Sequence, residues 1–205
     1  MSVPPSPRLY LASASPRRRD LLAQIGLTFE SLPQSIDESL RPGEVAIDYV
    51  QRVALEKATA GWHDPRRQRE LPVLAADTSV VCNNLVLGKP ASLEQAQEML
   101  TLLSGRTHEV MTAIVVVQGG RSAARLVSTS VTFRELTAVE IAAYWRSGEP
   151  QDKAGGYGIQ GRAALFVDGI SGSYSNVVGL PLFETARLLE SFGISAIALL
   201  EGVPQ

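Results

Sequence analysis

The chain has 205 residues, of which 45% are hydrophobic and 20% are charged, the composition of an ordinary globular protein. Its formal net charge of -2 argues against a general affinity for the backbone of DNA or RNA, and no apolar run reaches the roughly 20 residues of a membrane span. A single cysteine, Cys82, excludes an internal disulfide framework and fits a reducing compartment, and the first residues lack the apolar core of a secretory signal. We therefore expect a cytoplasmic protein with no nucleic-acid partner and no membrane partner.

Strands and helices alternate along most of the chain. Apolar and β-branched runs predict strands at residues 8–13, 27–32, 71–81, 108–118, 125–133, 164–167 and 194–200. Helices are predicted at residues 15–25, at residues 44–60 and from Pro181 onward. Two further helices are predicted to begin at capping boxes, Ser92 with Gln95 and Thr137 with Glu140. The pair Asn83-Asn84 and the stretch "GGRS" each indicate a hairpin.

These elements predict an α/β fold in which a mixed, partly antiparallel sheet and flanking helices surround a cleft. No linker divides the chain, so residues 8–205 are predicted to form one domain, with room for two lobes around the cleft. Residues 1–7 are predicted to be a disordered lead-in.

The first predicted helix begins with an unusual charge pattern. "SPRRRDLL", residues 15–22, puts three consecutive arginines in the first turn, where the helix dipole already leaves about half a unit of positive charge. Acidic residues are common there, and the chain itself does not supply one at this point, so we predict that a phosphate binds at this helix start. Three successive helical residues fan over about 200°, so they cannot all face one site, and Arg19 is expected to face solvent.

A lysine lies within the apolar stripe of the second predicted helix. On a helical wheel, Lys57 falls in the middle of the arc that contains Val50, Val53 and Ala54. Its long side chain could reach past the helix end into water. Alternatively, because a buried lysine needs a partner, Lys57 could reach a phosphate in a cleft.

Two polar residues, Asp77 and Thr78, interrupt an otherwise apolar strand. Asp77 could simply cap a turn, or it could bind a metal ion or serve catalysis. The two histidines are predicted to be structural or solvated, and no cluster of cysteines and histidines exists for zinc. Any metal must therefore be held by carboxylates from Asp37, Glu38 and Asp77, which are ligands typical of Mg²⁺ or Mn²⁺.

Residues 149–161, "EPQDKAGGYGIQG", contain four glycines within seven residues. Glycine lets the backbone approach a ligand closely, but the stretch matches neither the P-loop nor the dinucleotide-binding pattern, and it could be only a flexible loop. The helix predicted from Pro181 offers a second candidate anion site. Lys89, in "GKP", has the pattern of a solvated loop charge.

Taken together, these segments resemble the Maf family of nucleotide pyrophosphatases. "LASASPRRRDLL", "RVALEKA", "AADTSVV", "GKP", "LSGRTHEVMT", "GEPQDKAGGYGIQG" and "GSYSNVVGLPL" occur in the order of the family, from Leu9 to about Gly193. Two departures are mild, since Asp20 stands where Glu is common and Val53 where Leu is usual. The resemblance implies a cleft similar to that of inosine triphosphate pyrophosphatases, and homodimers are frequent in the family.

The resemblance also implies a catalytic centre. Asp77 would accept the proton of the attacking water, and Glu38 and Asp77 would hold a divalent metal, Mg²⁺ or Mn²⁺. Lys57, Lys89 and Arg18 would stabilise the charge that develops on the phosphate oxygens.

Substrate-binding residues follow from the same resemblance. Ser13, Arg17 and Arg18 would face the phosphates at the start of the first helix. Arg17, Thr78 and Gln160 match positions that set base preference in the family.

The implied activity is hydrolysis of a nucleoside triphosphate to the monophosphate and pyrophosphate. The segment "DKAGGYGIQG" is similar to the branch that acts on dTTP and UTP, and modified pyrimidine nucleotides stay open as substrates. An alternative is a non-catalytic or moonlighting regulator of cell division, because the family is associated with arrest of septum formation on overproduction. Nucleic-acid binding, a third class, is disfavoured by the lack of a basic, aromatic-rich stripe.

Overall fold

The computed structural model describes residues 6–195 and Leu200. Most of the predicted lead-in, residues 1–7, and most of the predicted closing strand, residues 194–200, therefore lie outside the described residues. Among the described residues, no helix combines the length and the apolar character needed to cross a membrane.

The described residues form strands and helices close to the predicted positions. The strands are β1 (Leu9–Leu11), β2 (Phe29–Ser31), β3 (Val73–Cys82), β4 (Leu85–Leu87), β5 (Thr107–Gln118), β6 (Arg121–Phe133) and β7 (Val167–Ser171). The α-helices are α1 (Pro16–Gln24), α2 (Ala46–Trp62), α3 (Leu93–Leu103), α4 (Ala138–Arg146), α5 (Tyr174–Val178) and α6 (Leu182–Glu190). Short 3₁₀ turns lie at Glu149–Asp152, Ala154–Gly156 and Arg162–Leu165.

Local sequence signals account for most of these boundaries. The Thr137 hydroxyl accepts a hydrogen bond from Glu140 N–H, and the Glu140 carboxylate accepts one from Thr137 N–H, which confirms the predicted capping box. The turn between β3 and β4 places both asparagines at positive φ, 51° for Asn83 and 63° for Asn84, a conformation that Asn tolerates better than most residues. Local chemistry therefore fixes where these elements begin and turn.

One predicted element is wrong and one element was missed. Residues 164–167 were expected to form a strand, but Arg162–Leu165 is a 3₁₀ turn and β7 begins only at Val167. The helix α5 was not predicted, because its five residues are too few for an apolar periodicity to show.

The strands form one mixed sheet in the order β2-β1-β3-β5-β6-β7, with β4 paired to β3. The strand β1 is parallel to both of its neighbours, and the pairs from β3 to β7 are antiparallel. This arrangement, with helices on the sheet faces, confirms the predicted mixed α/β fold.

One edge of β3 has a gap. The strand β1 pairs with β3 only at Val73 and Leu74, and β4 pairs with it only from Val80 to Cys82. Residues 75–79 therefore lie between the two neighbours, without a strand partner on this edge. Asp77 and Thr78 are in the middle of this gap.

The apolar core is divided by the sheet and by the gap. On one face, α2 packs against the first half of β3. On the other face, a cluster with α1, α5 and α6 covers the first half of β3, and a separate cluster with α3 and α4 covers its end. Because side chains alternate along a strand, Asp77 points to the α2 face and Thr78 to the opposite face.

Candidate active site

The gap in the sheet edge opens into a cleft of about 860 Å³. All nine residues to which the family resemblance gave a role line this cleft: Ser13, Arg17, Arg18, Glu38, Lys57, Asp77, Thr78, Lys89 and Gln160. The structure therefore brings together residues from six separate segments, while their chemical roles stay predictions.

On the α2 face of the sheet, Lys57 joins two carboxylates. Its Nζ lies 2.9 Å from Asp77 Oδ1 and 3.0 Å from Glu38 Oε1. The side chains of Lys57 and Asp77 are only 10% and 9% exposed, so Lys57 does not reach past the helix end into water. An ammonium buried between two carboxylates satisfies the need for a partner that the helical wheel predicted.

The loop that carries Glu38 has no regular structure, yet α2 holds it firmly. The Tyr49 hydroxyl donates to the carbonyl of Glu38 at 2.9 Å, and Arg52 donates to the carbonyl of Ser39 at 3.0 Å. Arg52 also binds the Glu44 carboxylate through two nitrogens, and this contact lowers the pKa of Glu44 to about 2. Burial, together with the charge of Asp77, raises the pKa of Tyr49 to about 12, so its hydroxyl stays protonated and keeps donating.

The two carboxylates offer a partial site for a divalent metal. Lys57 engages one oxygen of Asp77 and one of Glu38, and the second oxygen of each makes no hydrogen bond to another described residue. No group of three acidic, histidine or cysteine side chains suited to a metal exists among the described residues. The pair therefore fits Mg²⁺ or Mn²⁺ only where phosphate oxygens and water complete the shell, as is common for Mg²⁺.

On the opposite face, Arg18 is buried without a carboxylate partner among the described residues. Its Nε donates to the carbonyl of Gly179 at 2.8 Å, Nη1 to Ser13 Oγ at 3.2 Å and Nη2 to Thr78 Oγ1 at 3.1 Å. Burial lowers the pKa of the guanidinium from its usual value, and the more distant charge of Asp77 opposes that effect. A buried cation held by neutral acceptors keeps its charge available for an anion in the cleft.

Arg17 differs from Arg18 in its surroundings. Its Nη1 lies 3.6 Å from Asp152 Oδ2, so the expectation that the chain supplies no negative group at this helix start is wrong for Arg17. The partner is distant in sequence, and its side chain is 68% exposed, so this ion pair is weak. Arg19 is exposed, as predicted.

The conformation of the glycine-rich segment is stabilised by hydrogen bonds to Glu149. Its carboxylate accepts hydrogen bonds from the Tyr144 hydroxyl at 2.8 Å and from Arg162 N–H at 2.9 Å, and the Tyr144 oxygen accepts from Gly158 N–H at 3.2 Å. Burial acts to raise the pKa of Glu149, but these hydrogen bonds outweigh it and the pKa is lowered. The segment between Gly158 and Arg162 carries the exposed Gln160 at the rim of the cleft.

The model for the Maf-like protein family matches residues 8–192 of this chain. The chain belongs to the Maf-like protein family. A relative from Alkalilimnicola ehrlichii, named dTTP/UTP pyrophosphatase, is 54% identical over 92% of this chain and 94% of its own. Relatives with the same name from Hahella chejuensis and Chromobacterium violaceum are 51% and 50% identical, each over 91% of this chain and over 93% and 95% of their own.

Among solved structures, a Vibrio cholerae protein aligns over 70% of this chain and 71% of its own, with a TM-score of 0.33 and 9% identity. A likeness at that level carries no argument.

Several groups that shape the site of this Maf-like protein were missed by the sequence analysis. Gly179, Tyr49 and Glu149 act through a carbonyl, a hydroxyl donor and a partly buried carboxylate, and no local pattern marks Gly179 or Tyr49. The segment "GEP" did signal Glu149, since an acid beside a proline and a run of glycines is unusual, but its partners could not be read from it.

Other predicted features lie away from the chemistry. The start of α6 is not part of the cleft, and Leu182 N–H is bound by Ser175 Oγ, so the second candidate anion site is wrong. His108 is buried beside the Tyr157 hydroxyl at 2.8 Å, and burial lowers the pKa of His108 to about 4, so it is neutral near pH 7. This supports the structural interpretation of His108.

A substitution at Gly161 tests how far Glu149 fixes the loop. A Cβ added at Gly161 would overlap the Glu149 carboxylate. We expect Gly161→Ala to lower the free energy of unfolding in urea by about 1–3 kcal/mol. Gly169→Ala is the control, because a Cβ there meets no atom within 4 Å.

A double-mutant cycle identifies the contact responsible. In a Glu149→Ala background, adding Gly161→Ala should cost much less than it does alone, since the overlapping carboxylate is gone. Equal costs in the two backgrounds would show that Gly161 is needed for a different reason.

Proposed function

We propose that this protein hydrolyses nucleoside triphosphates between the α- and β-phosphates, with dTTP and UTP preferred. The observation that supports it most is the buried guanidinium of Arg18, which faces the same cleft as Asp77 and has no carboxylate partner among the described residues. Such a cation suits a polyanion, and the relatives' names point to the same class of substrate. A purely regulatory protein would not need this group beside a buried carboxylate.

Asp77 is suited to remove a proton from water. Lys57 holds its Oδ1, so the other oxygen is left to take up the proton as the water attacks the α-phosphorus. The bond from the α-phosphorus to the bridging oxygen breaks, and pyrophosphate leaves. Arg18 and Lys89 stabilise the charge that builds up on the phosphate oxygens.

A divalent metal, Mg²⁺ or Mn²⁺, is part of this proposal. When bound, it would neutralise phosphate charge beside Glu38 and Asp77. Support comes from the second oxygen of each carboxylate, which Lys57 leaves free. Asp77 has only one such oxygen for both metal binding and proton uptake, so Glu38 would be the main ligand where Asp77 accepts the proton. Asp37 is exposed and does not line the cleft, so it is left out of the proposed ligand set.

Localisation and partners complete the proposal. We place the protein in the cytoplasm, because its one cysteine, Cys82, is free and buried. We propose no nucleic-acid partner, on the basis of the near-neutral charge. A homodimer stays a prediction from the family resemblance.

The test is a panel of nucleoside triphosphates, natural and modified, incubated with Mg²⁺ or Mn²⁺ and analysed for products. We expect pyrophosphate and the monophosphate, with the highest kcat/KM for dTTP and UTP. Release of orthophosphate in place of pyrophosphate would contradict the proposed reaction. No turnover with any of these substrates would contradict the enzyme assignment altogether.

Base preference can be tested at Gln160. Its carboxamide makes no hydrogen bond to a described residue, so both donor and acceptor are available to the N3–H and carbonyl groups of uracil or thymine. Cytosine lacks the N3–H, which leaves polar groups unpaired at a loss of about 1–3 kcal/mol for each. We expect Gln160→Leu to reduce the preference for UTP over CTP, mainly by slowing UTP.

The matched control is Gln151→Leu, because Gln151 is also exposed but does not line the cleft. It should leave the ratio of kcat/KM for UTP and CTP unchanged. If Gln160→Leu also keeps the full wild-type ratio, then Gln160 does not contact the base, and Thr78 or the backbone at 158–161 becomes the better candidate.

A further inference from the structure

Behind Arg18, the partly buried Thr78 and the fully buried Thr112 continue its hydrogen bond into the protein. Thr78 Oγ1, which accepts from Arg18, lies 3.0 Å from Thr112 Oγ1. Thr112 Oγ1 in turn lies 3.0 Å from the carbonyl oxygen of Asn176. Thr112 and Asn176 are fully buried, with 0% of either residue exposed.

The two hydroxyl hydrogens can satisfy every contact in this chain in only one arrangement. A carbonyl oxygen only accepts, so the single hydroxyl hydrogen of Thr112 must point to Asn176. Thr112 can then only accept from Thr78, and the hydrogen of Thr78 points inward. The oxygen of Thr78 therefore turns a lone pair toward Arg18 and cannot donate into the cleft.

Packing does not explain a hydroxyl at position 112. Its neighbours on the same face of β5 are Val110 and Ile114, which belong to two different apolar clusters. A valine has nearly the same shape as threonine and would join the two clusters without burying a polar group. The hydroxyl is therefore the feature of Thr112 that needs a reason.

We propose that Thr112 is a positioning residue that holds Thr78 as a fixed acceptor for Arg18 and so prepares Arg18 to bind the phosphates. The proposal extends the proposed function, because the anion it concerns is the triphosphate. A neutral acceptor fixes the guanidinium without cancelling its charge, whereas a carboxylate would compete with the substrate.

Loss of the Thr112 hydroxyl would disturb Arg18 directly. The nearest other acceptor for the Thr78 hydrogen is the carbonyl of Gly179, at 3.5 Å. That carbonyl already accepts from Arg18 Nε at 2.8 Å, so Thr78 would compete with Arg18 for it. The carbonyl of Asn176 would keep its hydrogen bond from Gly179 N–H at 3.0 Å, so this acceptor would still have a donor.

The experiment compares Thr112→Val with Thr112→Ser in the full chain. Binding of inorganic tripolyphosphate, measured by titration calorimetry, reports on the phosphate site without any need for turnover. We expect the dissociation constant to rise about tenfold in Thr112→Val, the size of one hydrogen bond to a charged group, and to stay within about twofold of wild type in Thr112→Ser. The values of kcat/KM for dTTP, UTP and CTP should all fall by the same factor in Thr112→Val, because the phosphates are common to them.

Thr129→Val separates positioning from a general loss of packing. Thr129 is also a buried threonine on this face, and its hydroxyl binds the Asn176 side chain at 3.0 Å without being part of the chain to Arg18. Because the Thr129 hydroxyl also bonds the backbone of Ser173, Thr129→Val should lower the melting temperature at least as much as Thr112→Val while leaving tripolyphosphate affinity unchanged.

Three results would overturn the inference: wild-type affinity in Thr112→Val, an equal loss of affinity in Thr129→Val, or a loss of kcat/KM confined to dTTP and UTP. The last of these would mean that Thr78 acts on the base. If the wild-type protein turns over no nucleotide but its tripolyphosphate affinity still depends on the Thr112 hydroxyl, the proposed function fails and the positioning role stands.

Discussion

Asp77→Asn is expected to reduce pyrophosphate release by at least about a thousandfold, within the range typical for removal of a general base. Asparagine keeps the size of the side chain and an oxygen for Lys57, which lies 2.9 Å from Asp77 Oδ1 and retains its pair with Glu38. The fold should therefore be kept, as judged by circular dichroism and thermal melting, while the proton acceptor and a metal-binding charge are lost. Steady-state assays with dTTP and UTP in the presence of Mg²⁺ or Mn²⁺ measure the effect.

Asp37→Asn is the matched control for this substitution. Asp37 is an exposed acid one residue before Glu38, and it does not line the cleft. Turnover should stay near that of wild type. If Asp77→Asn retained activity within a few-fold of wild type, Asp77 would be a structural residue and the proposed mechanism would lose its base.

Arg18→Met is expected to lower kcat/KM by about a hundredfold or more without lowering the melting temperature. Methionine has a similar length and is compatible with a buried position. Burial lowers the pKa of Arg18, so burying its charge opposes folding, and the substitution removes that cost. The acceptors it leaves, including Ser13 and Gly179, line the cleft, where water can replace the guanidinium.

The next residue provides the control, since Arg19 lies on the same helix but is exposed. Arg19→Met should change neither the melting temperature nor the kinetics. A folded Arg18→Met protein with wild-type kcat/KM would show that Arg18 serves only the packing of α1 and α5.

The sequence predicted well those features that depend on neighbouring residues. The capping box at Thr137, the turn at Asn83 and the apolar run of β3 each depend on a few consecutive positions. The helical wheel also placed Lys57 on the buried face of its helix, because helix geometry fixes which residues share a face, but it left open whether the side chain reaches water. The helical wheel could not identify the partners of Lys57.

Contacts between distant segments decide the rest of the site. Arg18 and its acceptor Gly179 are 161 residues apart, and Arg17 meets Asp152 across the cleft. No local pattern encodes such pairs, because they depend on how the sheet brings the segments together. The family resemblance located the cleft residues, but it gave no reason for Arg18 to be held by neutral atoms.

The gap in the edge of β3 also determines how the cleft can move. The ladder between β3 and β5 continues past the gap without a break, from Val73 opposite Val117 to Val81 opposite Glu109. Rotating one side of the cleft toward the other would shear this ladder, so residues 6–195 contain no hinge of the kind that a flexible linker provides. The width of the cleft is set by this backbone ladder. Adjustment to a ligand is left to side chains and to the loops on either rim. Both walls of the cleft are therefore joined by one continuous strand ladder in the protein without a ligand.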